Sequence, residues 1–218
     1  MTKRKTIVAI GEILVEFVSH RLNCGLERIG DYSGPFPSGA PAIFLDQAAR
    51  MGARTEMIGG VGDDGFGRIV LQRLKDDRVG VGGVSVSAGL STGVAFVSYY
   101  DNGHRDFIFH LTNTAADKFQ LPKLMIEPAT MSLHVSAASL GNATMREMIM
   151  SLVHKVDAGG GAITCDPTAR PELMRDAAIQ DALKDVMDRS SCLMPSTCLL
   201  YTSPSPRDQR GSRMPSSA

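Results

Sequence analysis

A short run of small residues, Ser38-Gly39-Ala40, has the composition of a ligand-binding turn. It directly precedes a segment of helical periodicity that starts at Pro41 and is followed by Gly52 as a stop signal. A glycine at position 39 lets backbone N–H groups approach a ligand closely, and a helix N-terminus favours oxygen-rich or anionic groups. We therefore predict that Gly39 and Ala40 contact a small, oxygen-rich molecule.

The segment 60–65, GVGDDG, matches the G-x-G-x-x-G pattern of dinucleotide-binding turns. Asp63 and Asp64 occupy the place where a pyrophosphate would approach, and like charges there are unfavourable. The acidic residue expected about twenty positions further on is missing, since Asp101 is the first after Asp77. We interpret the segment as a tight strand-to-helix turn whose glycines permit positive φ. The alternative that the chain is an NAD-dependent oxidoreductase is supported by this match alone.

Other reactive side chains do not form recognisable sets. The sequence has no P-loop, no Cys-x-x-Cys pair and no H-E-x-x-H, which argues against a Walker-type NTPase, a zinc site and a disulfide framework. Lys plus Arg and Asp plus Glu both number 23, so the net charge indicates neither nucleic acid nor an anionic membrane as a partner. Glu12 and Glu16 interrupt the apolar run near the N-terminus, which disfavours a signal peptide. We predict a cytoplasmic protein.

The elements that must position the turn alternate between short β-branched runs and helical segments. Strands are predicted at 6–10, 55–58, 133–137 and 162–165, and helices at 41–51, 66–75, 144–156 and 177–187. The runs 94–100 and 105–110 flank Asp101-Asn102-Gly103, a typical hairpin turn. Strands that alternate with helices indicate a doubly wound, mostly parallel α/β sheet. The hairpin is then a separate β element that could cover a site at the edge of the sheet.

In its order of motifs, the chain resembles the pfkB (ribokinase-like) family of carbohydrate kinases from about residue 5 to residue 197. The resemblance is carried by the segment 35–67, PFPSGAPAIFLDQAARMGARTEMIGGVGDDGFG, and by Gly11-Glu12 after the first strand. The hairpin 92–110, the segment 165–171 (CDPTARP, similar to D-x-N-x-R) and the segment 193–196 (LMPS) follow in the family's order.

This resemblance implies a ribokinase-like fold with a small β lid, formed by residues of about 12–36 and 92–110. It implies ATP- and Mg²⁺-dependent phosphorylation of a sugar hydroxyl and a homodimer through the lid. Site residues are carried over from the matching motifs: Glu12, Gly39, Ala40 and Arg105 at the sugar, and Arg170 near the phosphates. No metal ligand is assigned.

Three departures from the family pattern narrow the expected substrate. Ile43 stands where many members have an asparagine that contacts sugar hydroxyls, and Thr168 replaces the asparagine of D-x-N-x-R. The segment 110–114 carries no arginine that could bind a carboxylate. A neutral ketohexose is therefore expected, and PSGAPAIFLDQ resembles tagatose kinase-like members. A non-catalytic sugar-binding or oligomerising module is the alternative.

The family's D-T-x-G-A-G-D-type segment, which carries the general base and an anion hole, does not occur in the sequence. We therefore expect a kinase domain over 1–197 that is truncated before its catalytic half, is inactive and binds ATP poorly. Residues 198–218, CLLYTSPSPRDQRGSRMPSSA, resemble translated sequencing-adaptor sequence. We expect them to be a disordered, non-native tail, because from Ser203 onward they offer almost no apolar side chain for burial.

Overall fold

The computed structural model describes residues 5–121, 126–167 and 175–195, which form two β-sheets and five α-helices. The larger sheet contains β1 (Thr6–Ile10), β4 (Thr55–Gly62), β5 (Gly80–Ser87), β8 (Met131–Ser136), β9 (Ala162–Asp166) and β10 (Cys192–Leu193). The smaller sheet, here named the lid sheet, contains β2 (Leu14–Ser19), β3 (Tyr32–Ser38), β6 (Gly93–Tyr99) and β7 (Arg105–His110). The helices are α1 (Ala40–Arg50), α2 (Gly65–Asp76), α3 (Ala115–Lys118), α4 (Ala143–Ala158) and α5 (Ala177–Arg189).

The larger sheet has the strand order β10-β9-β8-β1-β4-β5, and its neighbouring strands all pair in parallel. The chain leaves β1 for β4 on one side and later returns to place β8 on the other side. The strand order therefore reverses between β1 and β8. In open α/β sheets, this is the place where the carboxyl ends of the strands leave a crevice for a ligand.

Helices cover both faces of the larger sheet because successive side chains of a strand point to opposite faces. In β1, Val8 and Ile10 join the hydrophobic cluster that contains α4 and α5. Ala9, between them, joins the cluster that contains α1 and α2. The predicted doubly wound α/β fold with a small second sheet is thus confirmed.

The lid sheet has the order β3-β2-β6-β7, with β2 and β6 pairing in parallel at its centre. One of its faces packs on α2: the ring of Phe17 stacks on that of Phe96 and meets that of Phe66 edge-on, with centroids 5.4 and 5.7 Å apart. The predicted hairpin is present as β6 and β7, and Gly103 in its turn has a φ of 83°. Strands β2, β3 and β5 were not predicted as separate strands.

The interpretation of segment 60–65 needs a correction, because its glycines do not have positive φ angles. Close packing requires two of them instead: a Cβ on Gly60 would collide with the Ala115 carbonyl and one on Gly62 with the Leu90 carbonyl, whereas a Cβ on Gly65 would meet open space. Asp64 caps α2, accepting hydrogen bonds from Gly67 N (2.7 Å) and Thr92 N (2.8 Å). The N-terminus of α2 therefore already holds a carboxylate where a pyrophosphate would have to bind.

The helices in the described parts of the chain are all too short or too polar to cross a lipid bilayer.

Candidate ligand-binding site

The reversal of strand order between β1 and β8 is bridged by two buried side chains. Glu12 follows β1, and Ser139 lies in a 3₁₀ turn, Ala137–Gly141, that follows β8. The Ser139 hydroxyl donates a hydrogen bond to Glu12 Oε2 at 2.6 Å. Two segments that are 127 residues apart in sequence are thereby joined at the crevice.

The predicted ligand turn lies against the same carboxylate. The Ala40 N–H donates to Glu12 Oε1 at 3.2 Å, so Glu12 caps α1 from a neighbouring segment where Gly39 has no side chain to do so. Gly39 has a φ of 111°, and a Cβ at this position would collide with the Glu12 carbonyl oxygen. The structure therefore brings Glu12, Gly39 and Ala40 together and explains why residue 39 is glycine.

The lid sheet contributes a row of four side chains across its strands, here named the lid row. Glu16 of β2 pairs with Phe36 of β3 and with Ala95 of β6, and Ala95 pairs with Phe109 of β7. Residues paired in this way point to the same face of a sheet. Because the neighbouring Phe17 packs on α2, the lid row lies on the opposite face of the lid sheet.

The chemistry of the lid row suits a polyhydroxylated ligand. Phe36 and Phe109 are 48% and 46% exposed, so both rings offer apolar surface. Glu16 lies between them, and a carboxylate accepts hydrogen bonds from hydroxyl groups. Apolar walls with few, well-placed polar groups are typical of small-molecule sites.

The lid row and the ligand turn are close along the chain. Phe36 precedes Gly39 by three residues and Glu16 follows Glu12 by four, which limits each separation to about 10–13 Å in extended backbone. Ile43 is exposed in the first turn of α1. These limits keep the end of β1, the start of α1 and the open face of the lid sheet close to one another, and the space between them is here named the crevice.

Two other predicted site residues do not join this group. Arg105 opens β7 opposite Tyr99, and its guanidinium lies over the Tyr99 ring at 5.3 Å. It is four residues from Phe109 on the same strand, or about 13 Å towards the far end of the lid sheet. Arg170 lies outside the described residues.

The ends of β8 and β9 add a polar column beside the crevice. His134 and Ser136 of β8 pair with Thr164 and Asp166 of β9. The hydroxyl of Ser136 is buried, and the described residues provide no hydrogen-bond partner for it. The imidazole of His134 is also buried, which lowers its pKa to about 4, so the ring is neutral at pH 7.

Sequence reasoning missed Glu16, Phe36, Phe109 and Ser139 as candidate site residues. Glu16 was visible as the one charge within the apolar run 13–18, ILVEFV, which indicates that this side chain faces a more polar environment than its neighbours. The pairing of Glu16 with Phe36 and Ala95 depends on strand register, which the sequence pattern does not specify.

Comparisons with known proteins identify a family model and sequence relatives that match the chain. A family model described as pfkB family carbohydrate kinase matches residues 4–197. Fructokinase-1 of Oryza sativa subsp. japonica is 30% identical over 175 residues, which are 78% of this chain and 53% of the rice protein. The fructokinase of Klebsiella pneumoniae is 33% identical over 158 residues, or 72% of this chain and 50% of that protein. The chain thus spans about half the length of the curated relatives it matches.

Solved structures share the fold. A proposed ribokinase II from E. coli, solved in its apo form and in complex with ATP and Mg²⁺, superposes with TM-scores of 0.80 and 0.81 at 36% identity. Both matches cover 94% of this chain and 67% of the E. coli chain. The fructokinase of Halothermothrix orenii, at 22% identity, has a TM-score of 0.76 and covers 86% of this chain and 66% of that one.

Proposed function

Because the chain belongs to the pfkB family of carbohydrate kinases, we propose that it carries the sugar-binding part of an ATP-dependent kinase for a neutral ketohexose. The observation that carries the proposal is the lid row beside the Gly39–Ala40 turn. Phe36 and Phe109 would hold the C–H faces of the sugar, and Glu16 would accept hydrogen bonds from its hydroxyls. The transferred phosphoryl group would come from ATP.

The charges around the crevice favour a neutral sugar over an acid sugar. Glu16 carries a carboxylate on the open face of the lid sheet, and like charges repel a carboxylated ligand. Arg105, a cation on the same face, lies about 13 Å from Phe109 along β7, and the segment 110–114 contains no Arg or Lys. Fructose and tagatose, which differ in configuration at one carbon, are the two candidates. The names of the relatives favour fructose, and the PSGAPAIFLDQ segment favours tagatose.

The nucleotide part of the proposal rests on family membership and on the ends of β8 and β9. Mg²⁺ usually binds one or two carboxylates together with substrate phosphates. Asp166, at the carboxyl end of β9, supplies a carboxylate, and the unpaired hydroxyl of Ser136 is its register partner. These two residues fit Mg²⁺ and a phosphate oxygen. Bound ATP would supply the phosphoryl group, with the Asp166 carboxylate orienting the ion.

Self-association through the lid sheet and a cytoplasmic location complete the proposal. β7 is an outer strand of the lid sheet and carries Ile108 and Phe109, both about half exposed. An outer strand with apolar side chains is a template for pairing with a second copy. Cys24, Cys165 and Cys192 are unpaired thiols, which suits a reducing compartment. Analytical ultracentrifugation should detect a dimer, and a monomer at all concentrations would contradict self-association through the lid sheet.

Titration calorimetry on the purified 218-residue chain tests the central proposal. We expect binding of fructose or tagatose, weaker binding of 2-keto-3-deoxygluconate, and about tenfold weaker sugar binding in Glu16→Gln, which loses charge-assisted hydrogen bonds. Glu147→Gln, an exposed position of α4, is the matched control and should bind like the wild type. A preference for the acid sugar, or no sugar binding at all, would contradict the proposal.

Adding ATP and Mg²⁺ to the same titrations separates the kinase from a non-catalytic sugar-binding module. In a kinase, the two ligands bind side by side, so the nucleotide should change the affinity for the sugar. Because the chain is expected to bind ATP poorly, the titrations use saturating nucleotide, and sugar binding that stays indifferent to it would favour the non-catalytic module.

A further inference from the structure

The carboxylate of Glu12 is enclosed rather than presented to the crevice. Glu12 is 7% exposed and Ser139 is 2% exposed. One carboxylate oxygen accepts from the Ala40 N–H and the other from the Ser139 hydroxyl. A buried carboxylate is tolerated when its oxygens are hydrogen-bonded in this way.

The surrounding backbone is shaped to keep this arrangement. A Cβ on Gly11 would collide with the Ser139 hydroxyl and would lie 2.9 Å from Pro41 Cγ, so only glycine lets these residues approach. The first turn of α1 contains no acidic residue, and Gly39 provides no side-chain cap. The side-chain acceptor for the N-terminus of α1 therefore comes from Glu12.

We infer that Glu12 and Ser139 are positioning residues, which set the Gly39–Ala40 turn for sugar binding without contacting the sugar themselves. Ser139 belongs to the β8 side of the crevice and Ala40 to the β1 side, and the Glu12 carboxylate joins the two. Loss of either hydrogen bond would let the turn move relative to the end of β1. This inference rests on the proposed sugar-binding function and reassigns Glu12, which the family resemblance placed at the sugar.

The chemistry of the pair distinguishes positioning from direct sugar binding. In Glu12→Gln, the amide oxygen can still accept from the Ala40 N–H. The amide nitrogen can donate to the Ser139 hydroxyl, which reverses its role from donor to acceptor. A positioning residue should therefore be replaceable by glutamine, whereas a carboxylate that binds sugar hydroxyls by its charge should not.

The test compares Glu12→Ala, Glu12→Gln and Ser139→Ala in the full chain. Sugar affinity is measured by calorimetry with fructose and tagatose, and hydrogen exchange of the Ala40 amide is measured by NMR. The matched control is Ser190→Ala, which removes a part-buried hydroxyl that donates to the Val186 carbonyl at 2.7 Å, far from the crevice.

We expect Glu12→Ala and Ser139→Ala to bind sugar about tenfold more weakly, the loss typical of one hydrogen bond to a charged group. Their Ala40 amide should also exchange faster. Glu12→Gln should remain within about threefold of the wild type, and Ser190→Ala should match it. An equal loss in Glu12→Gln and Glu12→Ala would overturn the inference, as would unchanged affinity in Ser139→Ala.

The amide measurement keeps the inference testable apart from the proposed function. If the wild-type chain binds neither sugar, the proposed function fails, and Ala40 exchange decides the positioning role alone. Faster exchange in Ser139→Ala with wild-type exchange in Glu12→Gln would uphold it, and any other pattern would overturn it. If Glu12→Ala does not fold, the other two variants decide the question.

Discussion

The imidazole ring of His134 lies stacked on the ring of Phe44, with centroids 3.6 Å apart and planes inclined by 14°. His134 belongs to β8 and Phe44 to α1, so this contact joins the larger sheet to the helix that begins at the Gly39–Ala40 turn. His134 Nδ1 also hydrogen bonds with Thr164 Oγ1 of β9 at 3.0 Å. A neutral ring suits this buried position, and burial is what lowers the pKa of His134 to about 4.

The lowered pKa predicts a loss of stability in mild acid. Below about pH 6.5 the unfolded chain binds a proton at His134 that the folded chain does not bind until about pH 4. The free energy of unfolding should therefore fall as the pH falls from 6.5 to 4, by up to about 3 kcal/mol from this residue. Urea titrations across this pH range measure the effect.

Variants separate the contribution of His134 from that of other titrating groups. His134→Phe keeps an aromatic ring against Phe44 but cannot bind a proton, so its stability should depend less on pH between 6.5 and 4. His104→Gln, at an exposed position of the hairpin turn, should retain the wild-type dependence. If His134→Phe and the wild type lose the same stability over this range, His134 is not the cause.

Two glycine substitutions test the close contact at the ligand turn. Gly39 and Gly52 have φ angles of 111° and 90°, but a Cβ would collide with the Glu12 carbonyl at Gly39 and would meet open space at Gly52. Gly52→Ala should cost about 1 kcal/mol of unfolding free energy from backbone strain. Gly39→Ala should cost about 2–3 kcal/mol, because the steric contact adds to the strain. Equal losses in denaturant titrations would mean that the Glu12 carbonyl is not in contact.

Neighbouring residues of β7 test which face of the lid sheet binds sugar. Phe109 and Ile108 are exposed to a similar degree, 46% and 44%, but point to opposite faces. Phe109→Ala should weaken fructose or tagatose binding about tenfold through the loss of ring contact. Ile108→Ala should leave the affinity unchanged. Calorimetry that finds the reverse order would place the sugar on the face that packs on α2.

The purified chain should not turn over ATP in the presence of sugar. The sequence contains no D-T-x-G-A-G-D-type segment, which in this family supplies the general base and the anion hole. A coupled assay of ADP release, with fructose or tagatose and Mg²⁺, should give the same rate with and without sugar. Sugar-dependent turnover at ordinary enzyme rates, about 1 per second or more, would contradict this prediction.

Local sequence patterns predicted most of the larger sheet and its helices. The strand predicted at 6–10 is β1 with these bounds, and the helices predicted at 41–51 and 66–75 are α1 and α2 to within one residue. Apolar periodicity, proline at the start of α1 and the hairpin turn are all local signals, so they can be read without knowledge of tertiary contacts. Strand β5 was not predicted because Gly80, Gly82 and Gly83 interrupt its apolar pattern.

The sequence by itself determined the fold class, because the alternation of short strands and helices is a local pattern, and its short motifs identified Gly39, Ala40 and the nearby Glu12 as candidate site residues. Only the tertiary structure decided that Glu12 is enclosed by Ser139 and Ala40, since this depends on a hydrogen bond across 127 residues. The four side chains of the lid row are likewise aligned only by the register of the lid strands. A shift of one residue in β2 would turn Glu16 away from the open face. Arg105 had the right chemistry for a sugar or a phosphate, but its place at the start of β7 sets it apart from the crevice.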